Sequence, residues 1–563
     1  MSPVQSHGVW ARNQPRHRRR PREGRRRPGV AAAVAGTVAV VLALVLVLVL
    51  AGTGVARTGS RPEAKAPSRA VRGHAKGPAT FPGPDGTEAS WVVAENDKPG
   101  TTAWKITGPQ TPTGIMGYAS RVQAQVGQQV ELFVSTVAPT FQVDAYRMGY
   151  YQGKGARLIW SSAETPGVVQ PACPVTPGIN MVECQWTPSL STVVTDRWVQ
   201  GQYLLKLVGS TGEQGYVPLT VWDPASHATY VAMAGVLTDQ VFNAFGGYDL
   251  YQGATPCAPN HYPCSTRARI VSFDRPYASE NGAGGYLSLM YPLTRFMEEH
   301  GLDVTYWTDI TLADHAALLA DHRVLISPGH DEEWSLRMRQ GAVTATGEGV
   351  NLIFFGASPV LRKVRLQASP LGPDREVVNY RDPQKDPLYG IDNAEVSQNW
   401  WGQPPANLPA STLVGSEYIG YNNNATFPLV VSTPSSWLFS GTGLAAGAQI
   451  PGVLTTDFQA FNPTRAGDQP DLEILAHSPV TVEFHPNRTY ADTTYYTLPT
   501  SHAGVFESGA NSWIPSLASC PPGTTACPSA TMRAVTGNLL RVFGEGPVGI
   551  RHPSQGNWQQ FYG

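Results

Sequence analysis

No G-x-S-x-G, H-E-x-x-H or C-x-x-C occurs anywhere in the chain. The first absence removes the strained nucleophile elbow of the α/β-hydrolases, and the second the paired histidines of a zinc protease. Gly356-Ala357-Ser358-Pro359 follows an apolar run, but Pro359 hinders a helix start behind the serine. His330 and Glu332 form an H-x-E, yet the P-C-x-x-C that completes a zinc deaminase is missing. Cysteine is scarce: six residues fall as three close pairs, Cys173/Cys184, Cys257/Cys264 and Cys520/Cys527. In principle six cysteines pair in about 15 ways, and proximity favours three local disulfides. Disulfides belong to oxidising compartments, and bridging all six leaves no thiol nucleophile. There is no internal repeat.

The near-zero formal charge of -1 hides an asymmetry. Residues 1–28 carry nine arginines against Glu23, a net +8, and the remainder carries 32 basic against 41 acidic residues. Behind the arginines, 29–52 is an uncharged Val/Leu/Ala run. About 20 apolar residues span a bilayer, and the basic flank stays cytoplasmic. The expectation is therefore a plasma-membrane protein: a basic cytoplasmic segment 1–28, a single-pass anchor 29–52, a disordered linker 53–88, and the bulk outside. A cleaved signal peptide is the competing reading, with Gly54-Val55-Ala56 as the cleavage site. Next to an apolar span the arginines read as a topology signal, so no nucleic-acid partner is expected.

With 563 residues, more than one folded unit is expected. Over 89–223, short apolar or alternating runs separated by turn residues predict an immunoglobulin-like β-sandwich. These runs include Ser90–Val93, Ala103–Ile106, Gln129–Val134, Phe141–Tyr146, Tyr203–Val208 and Tyr216–Trp222. Over 224–563 the pattern changes to strands alternating with helices. Thr229–Met233, Val304–Trp307, Val324–Ser327 and Val350–Gly356 read as strands, and Leu287–His300, Leu312–Ala320 and Leu336–Thr346 as helices. Such alternation predicts βαβ units and a mostly parallel sheet. Beyond Pro359 come long loops, isolated strands such as Val480–Phe484, and a last helix, Thr531–Phe543. The expected fold class is thus α+β multidomain: an N-terminal transmembrane helix, a β-sandwich, then an α/β domain.

The densest group of reactive residues is Ser327-Pro328-Gly329-His330-Asp331-Glu332-Glu333-Trp334, between a predicted strand and a predicted helix. Open α/β sheets place ligands at the carboxyl ends of their strands. Acidic residues also suit a helix N-terminus for structural reasons alone. Carboxylates fit Mg, Ca, Mn or iron, and iron also accepts tyrosinate. Tyr248, Tyr251, Tyr277 and Tyr286 lie upstream. The local pattern leaves open a metal site or a capped turn.

Tyr146-Arg147-Met148-Gly149-Tyr150-Tyr151-Gln152-Gly153-Lys154-Gly155-Ala156-Arg157 resembles the Y-R-x-G-Y-Y-x-G-x-G-A-R signature of the N,N-dimethylformamidase large (β) subunit family. Further matches keep the family's order: Asn243 with Gly246-Gly247 and Leu250-Tyr251; Val271–Tyr277; Asp303–Asp309; Gly329-His330-Asp331-Glu332; Gly349–Gly356; and Thr536–Leu540. The resemblance spans about 125–555. It implies hydrolysis of a C–N amide bond at a mononuclear iron held by two tyrosines and one glutamate, with Glu332, Tyr251 and Tyr277 as the expected ligands. It also implies His330 as general base, Asp331 orienting it or capping the helix, and Asn243 bonding substrate. The implied partners are a small amide or envelope-derived substrate, and a second copy or a small partner subunit. Phe242 and Glu333 stand where relatives often carry tyrosine, and the segment after Gly356 lacks their N-x-x-Y-W. A surface binding module that keeps the fold without catalysis is the alternative.

Overall fold

In the computed structural model the described residues are 79–563, except 109, 112, 256–262, 484–489 and 519–528. After a short hairpin of Thr80–Gly83 with Gly86–Ala89 and a helix come two facing sheets. One has the order β5–β2–β1 and the other β7–β6–β3–β4, from β1 (Ile115–Ala119), β2 (Gln129–Thr136), β3 (Thr140–Met148), β4 (Ala156–Ser161), β5 (Leu190–Val193), β6 (Gly201–Gly209) and β7 (Gln214–Val221). Side chains alternate across a strand, and both faces of the second sheet are used. Leu205 and Leu207 pack between the two sheets with Val130 and Leu132. Leu204, Tyr146 and Met148 turn the other way, into the core of the following layer.

That layer is a sheet of order β9–β8–β10–β12–β19–β18–β17. Its elements are β8 (Tyr230–Ala234), α1 (Val236–Val241), α2 (Tyr291–Glu299), β9 (Val304–Thr308), α3 (Asp309–His315), β10 (Val324–Ser327), β11 (Glu333–Ser335), α4 (Leu336–Gly347), β12 (Asn351–Phe354), β13 (Arg362–Ser369), β14 (Gly372–Val378), β15 (Glu417–Val430), β16 (Gln449–Ala460), β17 (Glu473–Pro479), β18 (Tyr490–Thr497), β19 (Gly504–Glu507) and α5 (Ser529–Gly544). The pairings from β9 to β19 are parallel and the last two antiparallel. β11 lies outside this sheet and pairs in parallel with β13, while β15 and β16 form a long separate hairpin.

Both layers belong to one compact unit, Gly73–Gly563, and one core crosses position 223. A buried clamp ties them: Arg147 on β3 donates Nη2 to Glu298 Oε1 at 2.6 Å and Nη1 to Oε2 at 2.9 Å, and Tyr306 on β9 donates to the same carboxylate at 2.8 Å. The Tyr146–Tyr151 signature is therefore interlayer architecture.

Several expectations are corrected. The expected transmembrane fold class and plasma-membrane localisation are not supported, because no helix among the described residues is long and apolar enough to cross a membrane. The segments 1–28, 29–52 and most of 53–88 lie outside the described residues. Ser90–Asn96 is a helix, with Val92 buried, and Ala103–Ile106 is a turn segment; both runs are too short for alternation to separate strand from helix. Of the strand expected at 480–484, residues 480–483 are irregular and Phe484 lies outside the described residues; β17 ends just before, at Pro479. Cys173–Cys184 is bridged, and Cys264 is also in a disulfide. Cys257, Cys520 and Cys527 lie outside the described residues.

Candidate active site

The Gly329–Glu332 loop leaves the carboxyl end of β10, in the middle of the parallel strands. It is pressed between neighbours: a Cβ at Gly356 would collide with the Gly329 carbonyl oxygen. The three acids do not start a helix. They lead into β11, and Ser335 caps α4 by accepting from the Met338 N–H at 3.3 Å. The β11–β13 pairing sets Arg362 beside Glu332, whose carbonyl accepts the Arg362 N–H at 2.9 Å. From α1, Thr238 Oγ1 accepts the Glu332 N–H at 2.9 Å and donates to Glu333 Oε2 at 2.9 Å.

Glu332 is buried with both oxygens engaged. Arg362 Nε lies 2.6 Å from Oε1, and the Tyr251 hydroxyl donates to Oε2 at 2.7 Å. His330 Nε2 lies 3.7 Å from Glu332 Oε2 and 3.8 Å from Asp457 Oδ2. Asp457, on β16, accepts from the Tyr418 hydroxyl at 3.1 Å and from Asn511 Nδ2 at 2.9 Å. The Tyr251 ring is held between Phe242, stacked at 4.3 Å, and the Arg381 guanidinium at 4.0 Å. Arg362 and Arg381 both donate to Asn399 Oδ1, at 2.7 and 2.8 Å. These groups face a cavity of about 720 Å³.

The charges are set by this company. Burial opposes an imidazolium at His330, but the close Glu332 carboxylate and the charges of Asp457 and Glu333 outweigh it and lift the group to about 9. Burial likewise opposes a carboxylate at Glu332, where Arg362 and His330 prevail and lower it to about 2. Burial and the Glu332 charge raise Glu333 to about 8. Burial raises Asp457 and pushes the Tyr251 phenol well above its ordinary value. At neutral pH the site therefore holds a protonated His330 between carboxylates, and a neutral Tyr251.

His330, Glu332 and Tyr251 are brought together; the other expected residues are not. Tyr277 lines a different, narrow cavity with Asp239 and Tyr286, and His330 borders both spaces. Asn243 is buried with its amide committed to protein: Nδ2 donates to Gln240 Oε1 and Pro276 O, and Oδ1 accepts from the Phe245 and Ala278 N–H groups. It fixes the turn before Tyr251 and has no group left for substrate. Asp331 accepts from Ser327 Oγ at 2.7 Å, and neither orients His330 through a hydrogen bond nor caps α4. Sequence reading missed Arg362, Arg381, Asn399, Tyr418 and Asp457. None sits in a recognisable local motif, and long-range pairing alone delivers them.

Of the three ligands expected for iron, only Glu332 and Tyr251 meet. Tyr277 lies in the other cavity, and Phe242, packed on Tyr251 and 5.1 Å from His330, offers no donor atom. Glu332 is satisfied by a guanidinium and a neutral phenol. Among the described residues no group of three His, Cys, Asp or Glu side chains could hold a metal ion.

A mixed sheet with a polar cluster opening onto a cavity past the ends of its parallel strands defines a ligand-site class common to α/β folds. The comparison with protein families narrows it. The family described as "N,N-dimethylformamidase beta subunit-like, C-terminal" matches residues 142–527, and the chain belongs to that family. No curated protein matches. Among solved structures, a Paenibacillus sp. cycloisomaltooligosaccharide glucanotransferase complexed with cycloisomaltoheptaose is 7% identical over 48% of this chain and 34% of its own. The matched part thus spans about a third of that protein. Its TM-score of 0.14 carries no argument.

Proposed function

We propose that the chain hydrolyses a C–N amide bond in the cavity bounded by His330, Glu332 and Asp457. The observation that carries this reading is His330, whose Nε2 lies 3.7 and 3.8 Å from two buried carboxylates at the wall of a 720 Å³ cavity, in a dimethylformamidase-like chain. Environments that push neighbouring titratable groups apart assign acid and base roles. Asp457, the carboxylate raised by burial, takes a proton from water, and the resulting hydroxide adds to the amide carbon. Arg362 and Arg381 supply positive charge for the developing oxyanion. The His330 imidazolium protonates the leaving nitrogen as the C–N bond breaks, and the proton that Asp457 took from water passes back to the imidazole, 3.8 Å away, restoring both groups. Glu332 stays ionised and holds His330 charged. His330 is thus the general acid for the leaving group, not the base expected from the resemblance. No step passes through iron.

The test is amine release from a panel of N-alkyl and N-acyl amides, by wild type and by His330→Gln. Loss of one acid–base group costs roughly 10²–10⁴-fold. Equal rates in the two proteins, with His330→Gln folded, would remove the reading.

A further inference from the structure

The central cavity does not stand alone. A second concavity of about 600 Å³ shares Pro263, Arg381 and Asn399 with it. A third, of about 310 Å³, shares Trp400, Tyr418 and Gly420. Gln403 borders both of the outer two. The three meet around Asn399 and Trp400. A small amide would fill only a minor part of this space.

Trp400 is 45% exposed, yet its backbone is firmly tied. Gln398 and Lys363 exchange backbone hydrogen bonds at 2.9 and 3.2 Å, the Trp401 N–H donates to Leu361 O at 3.0 Å, and Gln398 Nε2 donates to the Trp400 carbonyl at 2.9 Å. Asn399 is fixed by the two arginines of the site. Trp401 is buried against Arg339 and Lys363, with the cations 5.0 and 5.4 Å from the ring. An indole held open on so ordered a segment at the rim of a cleft is a stacking platform set in place before ligand arrives. The walls beside it carry neutral amides, Gln384, Gln403 and Asn423, and charges of both signs. Aromatic faces stack on the apolar C–H faces of sugar rings, and side-chain amides bond their hydroxyls in either direction. That combination favours a glycan over a charged polymer.

We propose that the joined concavities form one groove for an N-acylated amino-sugar chain, with Trp400 stacked on a ring beside the unit whose N-acyl amide faces His330. This rests on the amide-hydrolase reading and supplies its substrate class. Water gives one proton to Asp457 and adds its hydroxide to the acyl carbon, the C–N bond breaks, and the sugar nitrogen takes a proton from His330, which Asp457 replaces, leaving a carboxylic acid and a free amine on the chain.

The experiment is titration calorimetry of the full chain with oligomers of N-acetylglucosamine of one to six units. Parallel arms use the de-N-acetylated oligomers and an N-acetylated peptide, and acetate release is measured on the same samples. Expected are affinity that rises with oligomer length, and binding of the longer oligomers weakened roughly tenfold by Trp400→Ala, about 1.4 kcal/mol. The exposed surface control Ile550→Ala should bind as wild type. Amide turnover on small amides without length-dependent sugar binding overturns the groove and leaves the hydrolase reading standing. Length-dependent binding with no acetate release, and no amine release from the N-alkyl amides either, supports the groove and overturns the hydrolase reading. Tighter binding of the peptide overturns the glycan in favour of a peptide substrate.

Discussion

Replacing Arg362 by Met probes the electrostatic centre of the site while keeping the side chain's apolar stem. The Arg362–Glu332 pair, 2.6 Å apart, is almost fully buried, with side-chain exposures of 11% and 5%. Removing one member of such a pair costs about 3–5 kcal/mol, because the other charge is left uncompensated. Titration leads to a similar figure. Glu332 is lowered to about 2 from an ordinary 4.5, and at about 1.4 kcal/mol per pH unit this is about 3 kcal/mol of stability at pH 7. A lowered carboxylate stabilises fully above its unfolded value and loses that contribution as pH falls through the folded value. The contribution is therefore complete above about pH 4.5, falls to about 1 kcal/mol at pH 3, and vanishes below pH 2. Urea unfolding of wild type and Arg362→Met at pH 7 and pH 3 measures this directly. The expected loss is about 3 kcal/mol at pH 7 and about 1 kcal/mol at pH 3. An equal loss at both pH values would show that packing, not charge, is what the substitution removes. No loss at pH 7 would show that the pair contributes nothing.

Four further outcomes follow from the same geometry. Amide turnover should fall as pH rises through about 9, where His330 loses its proton, and its acid limb should lie above the ordinary carboxylate range because Asp457 is raised; a rate unchanged across pH 9 refutes the acid role. The purified chain should carry no more iron than Glu332→Ala and show no tyrosinate-to-iron absorption band, since Phe242 has no donor atom and Tyr277 lines the other cavity, leaving the expected ligand set incomplete. Gly356→Ala should cost on the order of 1–3 kcal/mol by displacing the Gly329–His330 backbone, read as a lower denaturation midpoint. Cys184→Ala should cost about 2–4 kcal/mol by opening the Cys173–Cys184 loop, and a reductant should then have less further effect on the variant than on wild type.

Much of the scaffold was legible because burial writes itself into local pattern. The apolar runs at Val324–Ser327 and Val350–Phe355 are parallel strands buried on both faces, and alternation at Tyr203–Val208 marked a strand used by two cores. Ser90–Val93 was too short for its period to be read. The Gly329–Glu332 loop was legible as a feature, but its meaning was not. Its acids looked like a helix cap until pairing with β13 showed a short strand instead. Charge state was partly hidden for the same reason: besides Glu332, His330 is set by Asp457, 127 residues away on a hairpin that read only as loops and isolated strands. The Tyr146–Tyr151 signature carried the family resemblance, yet its arginine clamps two layers together. Tyr251 lies beside Glu332, whereas Tyr277, equally plausible in one dimension, faces another cavity.

The most direct test of amide hydrolysis is quantification of amine and carboxylic acid released by the purified chain, beside folded His330→Gln and Asp457→Asn. One-to-one release by wild type, reduced at least roughly 10²-fold in both variants, is the predicted result. No release above that of the variants, across N-alkyl amides and N-acylated amino sugars alike, would contradict it.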